Sequence, residues 1–328
     1  MSLRVIVTNL GSPASPAQGD VRRFLIEFLT DPYVIDLPSP VRQFLVKGLI
    51  APTRSRRSSR AYQSIWSCEE GPLRYFTEEI AKELRNVGTP AVSAMRYGEP
   101  SLRDAIEAQP QADHIVLVPL FPQHADSTIT TTVQHARKLV GDRKFSVVPP
   151  FFDRAEYLDA LLRHTRQELT DSVEHLVISF HSLPERHITK ADPTSNHCLK
   201  NENCCEVRSE SHATCYRHQC MYTANFLGKH LGLPYSVSFQ SRLGRLKWLE
   251  PSTVATISNL ATEGIRRIAV VCPAFTVDNL ETLEEIGIQA RELFLSLGGE
   301  ELQLISSLNS DPRWIRCLVN LINEQISI

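Results

Sequence analysis

The chain has 328 residues, longer than a single hydrophobic core comfortably organises, so two domains of about 150 residues each are expected. Lys plus Arg total 35 against 37 Asp plus Glu, a net charge of -2, which excludes the markedly basic footprint of a nucleic-acid-binding module. No stretch approaches the ~20 apolar residues of a membrane span. The opening MSLRVIVTNLGSP lacks the charged, apolar and small-residue regions of a secretory signal, so a cytoplasmic, reducing location is expected.

In chain order, short runs rich in Val and Ile predict strands near 3–9, 91–95, 114–119, 145–148, 175–180, 235–239, 267–272 and 302–306. Amphipathic patterns between them predict helices. Those in the first half are VRRFLIEFL, YFTEEIAKELRNV and TTVQHARKLV. AEYLDALLRHTRQEL, TANFLGKHLG, STVATISNLATEG, LEEIGIQARELFLSLG and RWIRCLVNLINEQI follow. Strands alternating with helices specify an α/β fold with parallel sheets covered on both faces. The halves echo each other: RVIVTNLGSP matches LVISFHSLPE, HIVLVPLFPQHADSTITTT matches RIAVVCPAFTVDNLETLEE, and AMRYGEP matches FQSRLGR. Three matches in the same order predict two Rossmann-like domains, each a four-stranded parallel sheet. The expected boundaries are 1–150, 151–305 with a cysteine insert at about 196–222, and a C-terminal helix at 306–328.

Open parallel sheets bind ligands beyond the carboxyl ends of their strands. Those ends carry Asn9 to Pro13, Arg96, Gln123 to Ser127, His181, Ser241, Arg242 and Pro273 to Glu281, and two facing domains would bring these loops around one cleft. No G-x-G-x-x-G or P-loop motif follows a strand, which disfavours dinucleotides and nucleoside triphosphates. A lone histidine is more often structural, but His181 stands at a strand end, before Pro184. In CPAFTVDNLETLEEI, Asp278 is a candidate helix cap, and Glu281 and Glu285 are four apart and share a helical face. Glutamates in a first turn are common for dipole reasons alone. A histidine facing paired carboxylates nevertheless suits chemistry that moves protons and a divalent cation together.

The motifs NLGSP, FLIEFLTDPYVIDLP, RAYQSIW, AMRYG, LFPQ, SFHSLPERH, FQSRLGRLKWLEP and FTVDNLETLEEI resemble those of ferrochelatases along nearly the whole chain. The resemblance implies two Rossmann-like domains flanking a porphyrin cleft, and insertion of Fe(II) into protoporphyrin IX or coproporphyrin III to form haem. The family's active-site histidine falls on His181 and its helical glutamate on Glu281, with Glu285 the next carboxylate. His181 and Glu281 would meet the iron substrate, His181 as proton acceptor or last iron ligand. Arg54 and Tyr62 fall on porphyrin-contacting positions, where Arg pairs with a propionate, and Arg96 and Trp248 are expected to line the same cleft. Apolar residues of VRQFLVKGLIAP would form a lip meeting a hydrophobic ring or a membrane surface. Monomer and homodimer both stay open. Where many relatives carry Gly-Ser-Pro-Leu, His or Cys two residues before the glutamate, and a Tyr-Ser pair after LYPQ, this chain has Glu70-Gly71-Pro72-Leu73, Asn279 and His124-Ala125.

Of eight cysteines, Cys68, Cys272 and Cys317 read as small buried hydrophobes. Cys198, Cys204, Cys205, Cys215 and Cys220 crowd into one segment, which in a reducing compartment points to metal. Tight zinc-ribbon knuckles are missing. Some ferrochelatases carry a [2Fe-2S] cluster, and Cys198, Cys215, Cys220 and one of Cys204 and Cys205 supply four thiolates for it, with Cys205 preferred. Structural zinc and free thiols are the alternatives. Rival functions are a cobalt chelatase, which would lack a match to the Arg54–Tyr62 segment, and a non-enzymatic haem or iron-sulfur sensor.

Overall fold

Runs such as Leu3–Asn9 and His175–His181 are apolar on both faces, the pattern of strands covered by helices on either side. The computed structural model describes residues 2–66, 70–242, 244 and 246–327; Cys68 lies outside them. Residues Met1–Leu120, Asp126–Pro149 and Ile315–Ile328 form one compact unit, and Phe121–Ala125 with Pro150–Trp314 the other.

The first unit holds a parallel sheet of β1 (Leu3–Asn9), β2 (Ala91–Met95), β3 (His114–Pro119) and β4 (Lys144–Val147), in the order β2-β1-β3-β4. The second holds β5 (His175–His181), β6 (Tyr235–Gln240), β7 (Arg267–Val271) and β8 (Glu301–Leu304), in the order β6-β5-β7-β8. All eight expected strands are present, with ends displaced by a residue or two. The three sequence echoes fall on corresponding strands: β1 with β5, β2 with β6, and β3 with β7. In each unit the first strand is central and the chain crosses it between the second strand and the third, so the order reverses beside it. That reversal point is where such sheets bind ligands.

Each unit has its own apolar core. Ile6, Ala94, Leu102, Ile115, Leu117 and Ala136 pack together in the first; Val177, Ile257, Ile268, Val270, Ile286 and Phe294 do so in the second. Helices flank both sheets, among them Pro72–Asn86, Thr131–Val140, Ala155–Glu168 and Thr253–Thr262. No helix among the described residues is long and apolar enough to cross a membrane.

A further echo, the triplet Glu-Pro-Ser at 99–101 and again at 250–252, acts alike in both units. The strand before it closes onto the proline carbonyl, Met95 N–H to Pro100 O at 2.7 Å and Phe239 N–H to Pro251 O at 2.9 Å. The serine then caps the next helix, Ser101 accepting from Asp104 N–H and Ser252 from Ala255 N–H.

The NLGSP turn after β1 depends on its glycine. Gly11 has φ +112°, and a Cβ there would lie 1.8 Å from the Tyr97 carbonyl oxygen. The loops beyond β1 and β2 therefore touch backbone to backbone, with Arg96 N–H bonded to Asn9 O and Tyr97 N–H to Leu10 O, both at 2.9 Å. Gly11→Ala is expected to cost more than about 1 kcal/mol, because the backbone conformation disfavours any side chain and the clash is with backbone. Urea unfolding reads this; an unchanged midpoint would show that the two loops do not pack as described.

Candidate active site and cysteine segment

In the second unit the reversal of strand order lies between β5 and β7. His181 ends β5, and its ring meets Phe275, just beyond β7, edge-on at 6.3 Å. His181 Nδ1 lies 2.6 Å from the Ser182 carbonyl oxygen. A carbonyl only accepts, so Nδ1 carries the proton and the neutral ring presents a bare Nε2 lone pair. Burial depresses the imidazole pKa, against the opposing effect of the Ser182 bond, and so favours that neutral form. Tyr216 Oη donates to the His181 carbonyl at 2.8 Å.

The two glutamates start the segment Glu281–Ala290, which is wound as a π-helix and continues as the α-helix Arg291–Ser296. A regular α-helix was expected here. Short π stretches carry an extra residue per turn and recur at functional sites. Asp278, the expected cap, is not the cap. Its carboxylate accepts from Thr282 Oγ1 (3.0 Å), Ser307 N–H (3.1 Å) and Asn309 Nδ2 (2.8 Å). Asn279 caps instead, its Oδ1 accepting from Glu281 N–H at 2.9 Å and Thr282 N–H at 3.1 Å. The side chain two residues before Glu281 thus starts this helix.

Glu281 and Glu285 sit in different electrostatic surroundings. Glu285 accepts from Ser241 N–H at 2.8 Å and also from Ser241 Oγ. Ser241 reaches it from the left-handed region, φ +66°. Two donors on one carboxylate favour its anion. Glu281 is pushed up to about 7, first by burial and then by the neighbouring charges of Glu285 and Glu284. Gln240 ties the pair to the histidine: its carbonyl accepts from Ser182 N–H at 2.7 Å and its Nε2 donates to the Glu281 carbonyl at 2.9 Å. The Gln240 Oε1 accepts from the buried Ser179 Oγ at 2.6 Å. Gln240 lies within the FQSRLGRLKWLEP motif but was not singled out as a site residue.

Trp248 is buried beside the histidine loop. Pro184 and Trp248 form a β-bridge, and Leu249 N–H bonds to Leu183 O at 3.0 Å. The Trp248 indole N–H is buried and finds no acceptor among the described residues.

The remaining expected substrate contacts belong to the first unit. Arg54 projects from the helix Ala51–Ile65 into solvent, as do Arg56, Arg57 and Arg60. Tyr62 lies on the buried face of that helix and packs edge-on against Trp66 with ring centres 6.0 Å apart. Arg96 is engaged internally: Nη2 pairs with Asp31 at 2.6 Å and Nε bonds to Thr131 Oγ1 at 3.0 Å. Its guanidinium also lies over the Tyr97 ring, 4.4 Å from the centroid. In the expected lip, Phe44 is 80% exposed, with Val41 at 52% and Leu49 at 56%, whereas Arg42 folds inward onto the Thr30 and Leu37 carbonyls.

In the second unit, the cysteine segment is ordered by a buried carboxylate. Asp192 accepts from the N–H groups of Thr194, His197 and Cys198 and from the hydroxyls of Thr194 and Ser211; burial raises its pKa, but these bonds together outweigh it and hold the carboxyl far below the usual carboxylate range. Cys198, Cys204, Cys215 and Cys220 are buried and Cys205 half-buried, all as free thiols. Cys215 sits at the N-cap of the helix Tyr216–Leu231, where its sulfur accepts from His218 N–H at 3.5 Å. Leu199, at φ +59°, directs its N–H to the Cys204 sulfur at 3.4 Å. Cys272 and Cys317 are buried, as expected of small apolar side chains. Among the described residues, no three His, Cys, Asp or Glu side chains gather as the ligands of one metal ion.

The fold and sequence have known counterparts. SirB from Bacillus subtilis, in a structure with Fe3+, superposes with a TM-score of 0.55 at 13% identity, over 99% of this chain and 96% of that one. A ferrochelatase of Pseudomonas fluorescens strain Pf0-1 is 50% identical over 97% of this chain and 96% of its own length. Another, from strain SBW25, is 47% identical over the same shares. The family model for ferrochelatase matches residues 3–326, and with that near-complete span the chain belongs to the ferrochelatase family.

Proposed function

We infer that this chain is a ferrochelatase that inserts ferrous iron into a porphyrin, releasing the two pyrrole protons and forming haem. The observation that carries the reading is the hydrogen bonding around the groups beside β5 and β7. His181 Nδ1 faces the Ser182 carbonyl and leaves Nε2 bare, Glu281 is pushed up to about 7, and Glu285 accepts two hydrogen bonds from Ser241. Metallation needs these functions together: an acceptor for pyrrole protons, a route that removes them, and negative charge to attract the cation.

His181 Nε2 takes a pyrrole proton or completes the coordination of the incoming iron, for which imidazole nitrogen is a suitable donor. Glu281 receives protons and releases them, while Glu285 stays charged and draws Fe(II) toward the ring. Arg54 pairs with a propionate, and Tyr62 and Trp248 contact the macrocycle, Trp248 with a buried N–H still to be satisfied. Arg96, braced by Asp31 and Thr131, holds the AMRYG loop against the porphyrin. Binding that bends the ring exposes nitrogen lone pairs and resembles the metallation transition state more than flat porphyrin does. The exposed Val41, Phe44 and Leu49 suit contact with the porphyrin or with a membrane surface.

The cysteine segment holds a [2Fe-2S] cluster through Cys198, Cys215, Cys220 and one of Cys204 and Cys205. The donor set fits: buried free thiols, a sulfur at a helix N-terminus, and N–H groups directed at sulfur. Four thiolates are the ligand number such a cluster would require. When bound there, a cluster would supply one-electron redox chemistry.

Three outcomes are expected. His181→Ala abolishes anaerobic quenching of porphyrin fluorescence by ferrous iron while leaving porphyrin binding intact; undiminished quenching would remove His181 from the reaction. Since Glu281 must be ionised to accept a proton, kcat/KM should rise about tenfold per pH unit up to about 7 and then level off. Glu281→Gln should remove that limb, and a limb that persists unchanged belongs to another group. Finally, aerobically purified protein should be reddish brown and bleached by Cys215→Ser, whereas colourless protein carrying stoichiometric zinc would exclude the cluster.

A further inference from the structure

Glu281 follows an irregular stretch of chain between the end of β7 and the start of the π-helix. Irregular backbone holds a side chain steady only if something outside it satisfies its polar groups. Here the loop after β8 does so. Ser307 N–H donates to the Asp278 carboxylate at 3.1 Å, and Asn309 N–H donates to the Thr276 carbonyl at 2.8 Å. The Asn309 amide then grips Asp278 twice. Its Oδ1 accepts from Asp278 N–H at 2.9 Å, and its Nδ2 donates to the Asp278 carboxylate at 2.8 Å.

A backbone N–H only donates and a carboxylate only accepts, so the side chain facing both must present an acceptor and a donor together. A primary amide does. The backbone narrows the choice further, because Asn309 has φ +46°, a region that Asn tolerates and most side chains do not. From Asp278 the order passes to the glutamate through buried groups. Thr282 Oγ1 donates to the Asp278 carboxylate and accepts from Asn279 N–H, both at 3.0 Å. Asn279 Oδ1 in turn accepts from the N–H groups of Glu281 and Thr282.

Resting on the ferrochelatase reading above, we propose that Asn309 is a positioning residue for metallation, holding Glu281 in place by clamping Asp278. Proton transfer requires hydrogen-bond reach, so a displacement of about 1 Å at the carboxylate costs up to about a hundredfold in rate. The clamp leaves porphyrin binding to other residues, and its loss falls on the chemical step.

The test follows anaerobic insertion of ferrous iron into porphyrin, with porphyrin affinity read separately by fluorescence and stability by urea unfolding. Asn309→Asp keeps the size and tolerates the left-handed backbone, but it sets two carboxylates against each other. It should lower kcat about tenfold while leaving porphyrin affinity unchanged. Asn309→Gly suits the same φ without adding charge, and should give a similar loss if the aspartate variant fails to fold. Combining Asp278→Asn with Asn309→Asp trades amide for carboxylate. The amide at 278 still accepts from Ser307 and Thr282 through its oxygen, and its NH2 donates to the carboxylate at 309. This exchange should recover most of the activity that either substitution loses alone. In a Glu281→Gln background, Asn309→Gly should slow the reaction no further, because the two residues act as one unit.

An unchanged kcat in the folded single variants overturns the proposal. So does an exchange variant slower than both of its single substitutions, or a further loss in the Glu281→Gln background, which places the action of Asn309 elsewhere. Porphyrin affinity that falls in step with kcat makes the asparagine merely structural. Wild-type protein that binds porphyrin without inserting iron would instead overturn the ferrochelatase reading itself, and this proposal with it.

Discussion

A parallel sheet covered by helices on both faces leaves room for chemistry only at the ends of its strands. Every backbone group within β5 and β7 is spent on the ladder, and their side chains are spent on the core formed by Val177, Ile268 and Val270. Polar side chains can therefore gather only where the ladder stops, and most readily where the order of strands reverses and neighbouring loops diverge. His181, Gln240, Ser241, Phe275 and the start of the π-helix all occupy such ends. The first unit obeys the same constraint, with Asn9 in the place corresponding to His181. There the loops close backbone to backbone through Gly11 and Tyr97, so the same strand end is filled by main chain.

Given that confinement, small asymmetries of hydrogen bonding decide what each ionisable group can do. Glu281 and Glu285 are the same residue type on one helix, yet Ser241 addresses only Glu285. Its N–H and hydroxyl both donate to that one carboxylate, which favours its charged form. That fixed charge adds to burial in raising Glu281. The Ser182 carbonyl does the corresponding work for His181 by choosing its tautomer. A bare imidazole nitrogen, a carboxylate with a raised pKa and a carboxylate holding two hydrogen bonds thus arise from three local contacts, two of them made by serines next to the strand ends.

Much of this was legible in the sequence, for physical reasons that also explain what was not. Strands covered on both sides must be runs of Val, Ile and Leu, so all eight stood out and their threefold echo disclosed the doubling. His181 and Glu281 were visible because polar residues ending such runs are conspicuous. The π winding was invisible because hydropathy records which residues are buried and not whether a turn holds an additional one. Asp278 and Asn279 are both good caps. The choice falls to Ser307 and Asn309, about thirty residues on, which occupy the Asp278 carboxylate. Arg96 reads as a cleft residue by position, but its partner Asp31 is 65 residues away, a distance that no local pattern bridges.

The cysteine segment shows what a loop without a core must do to stay ordered. It has little apolar surface to bury, so its shape comes from polar anchors: the Asp192 carboxylate at its start, and the Cys204 and Cys205 carbonyls that accept from His197, His212 and His218. The His212 and His218 rings stack with centroids 3.6 Å apart, which packs the two imidazoles against each other beside those carbonyls. These contacts use main-chain oxygen and leave the sulfurs to N–H donors and to Arg217. Side chains ordered in this way lose less conformational freedom on engaging any partner than those on a floppy loop would.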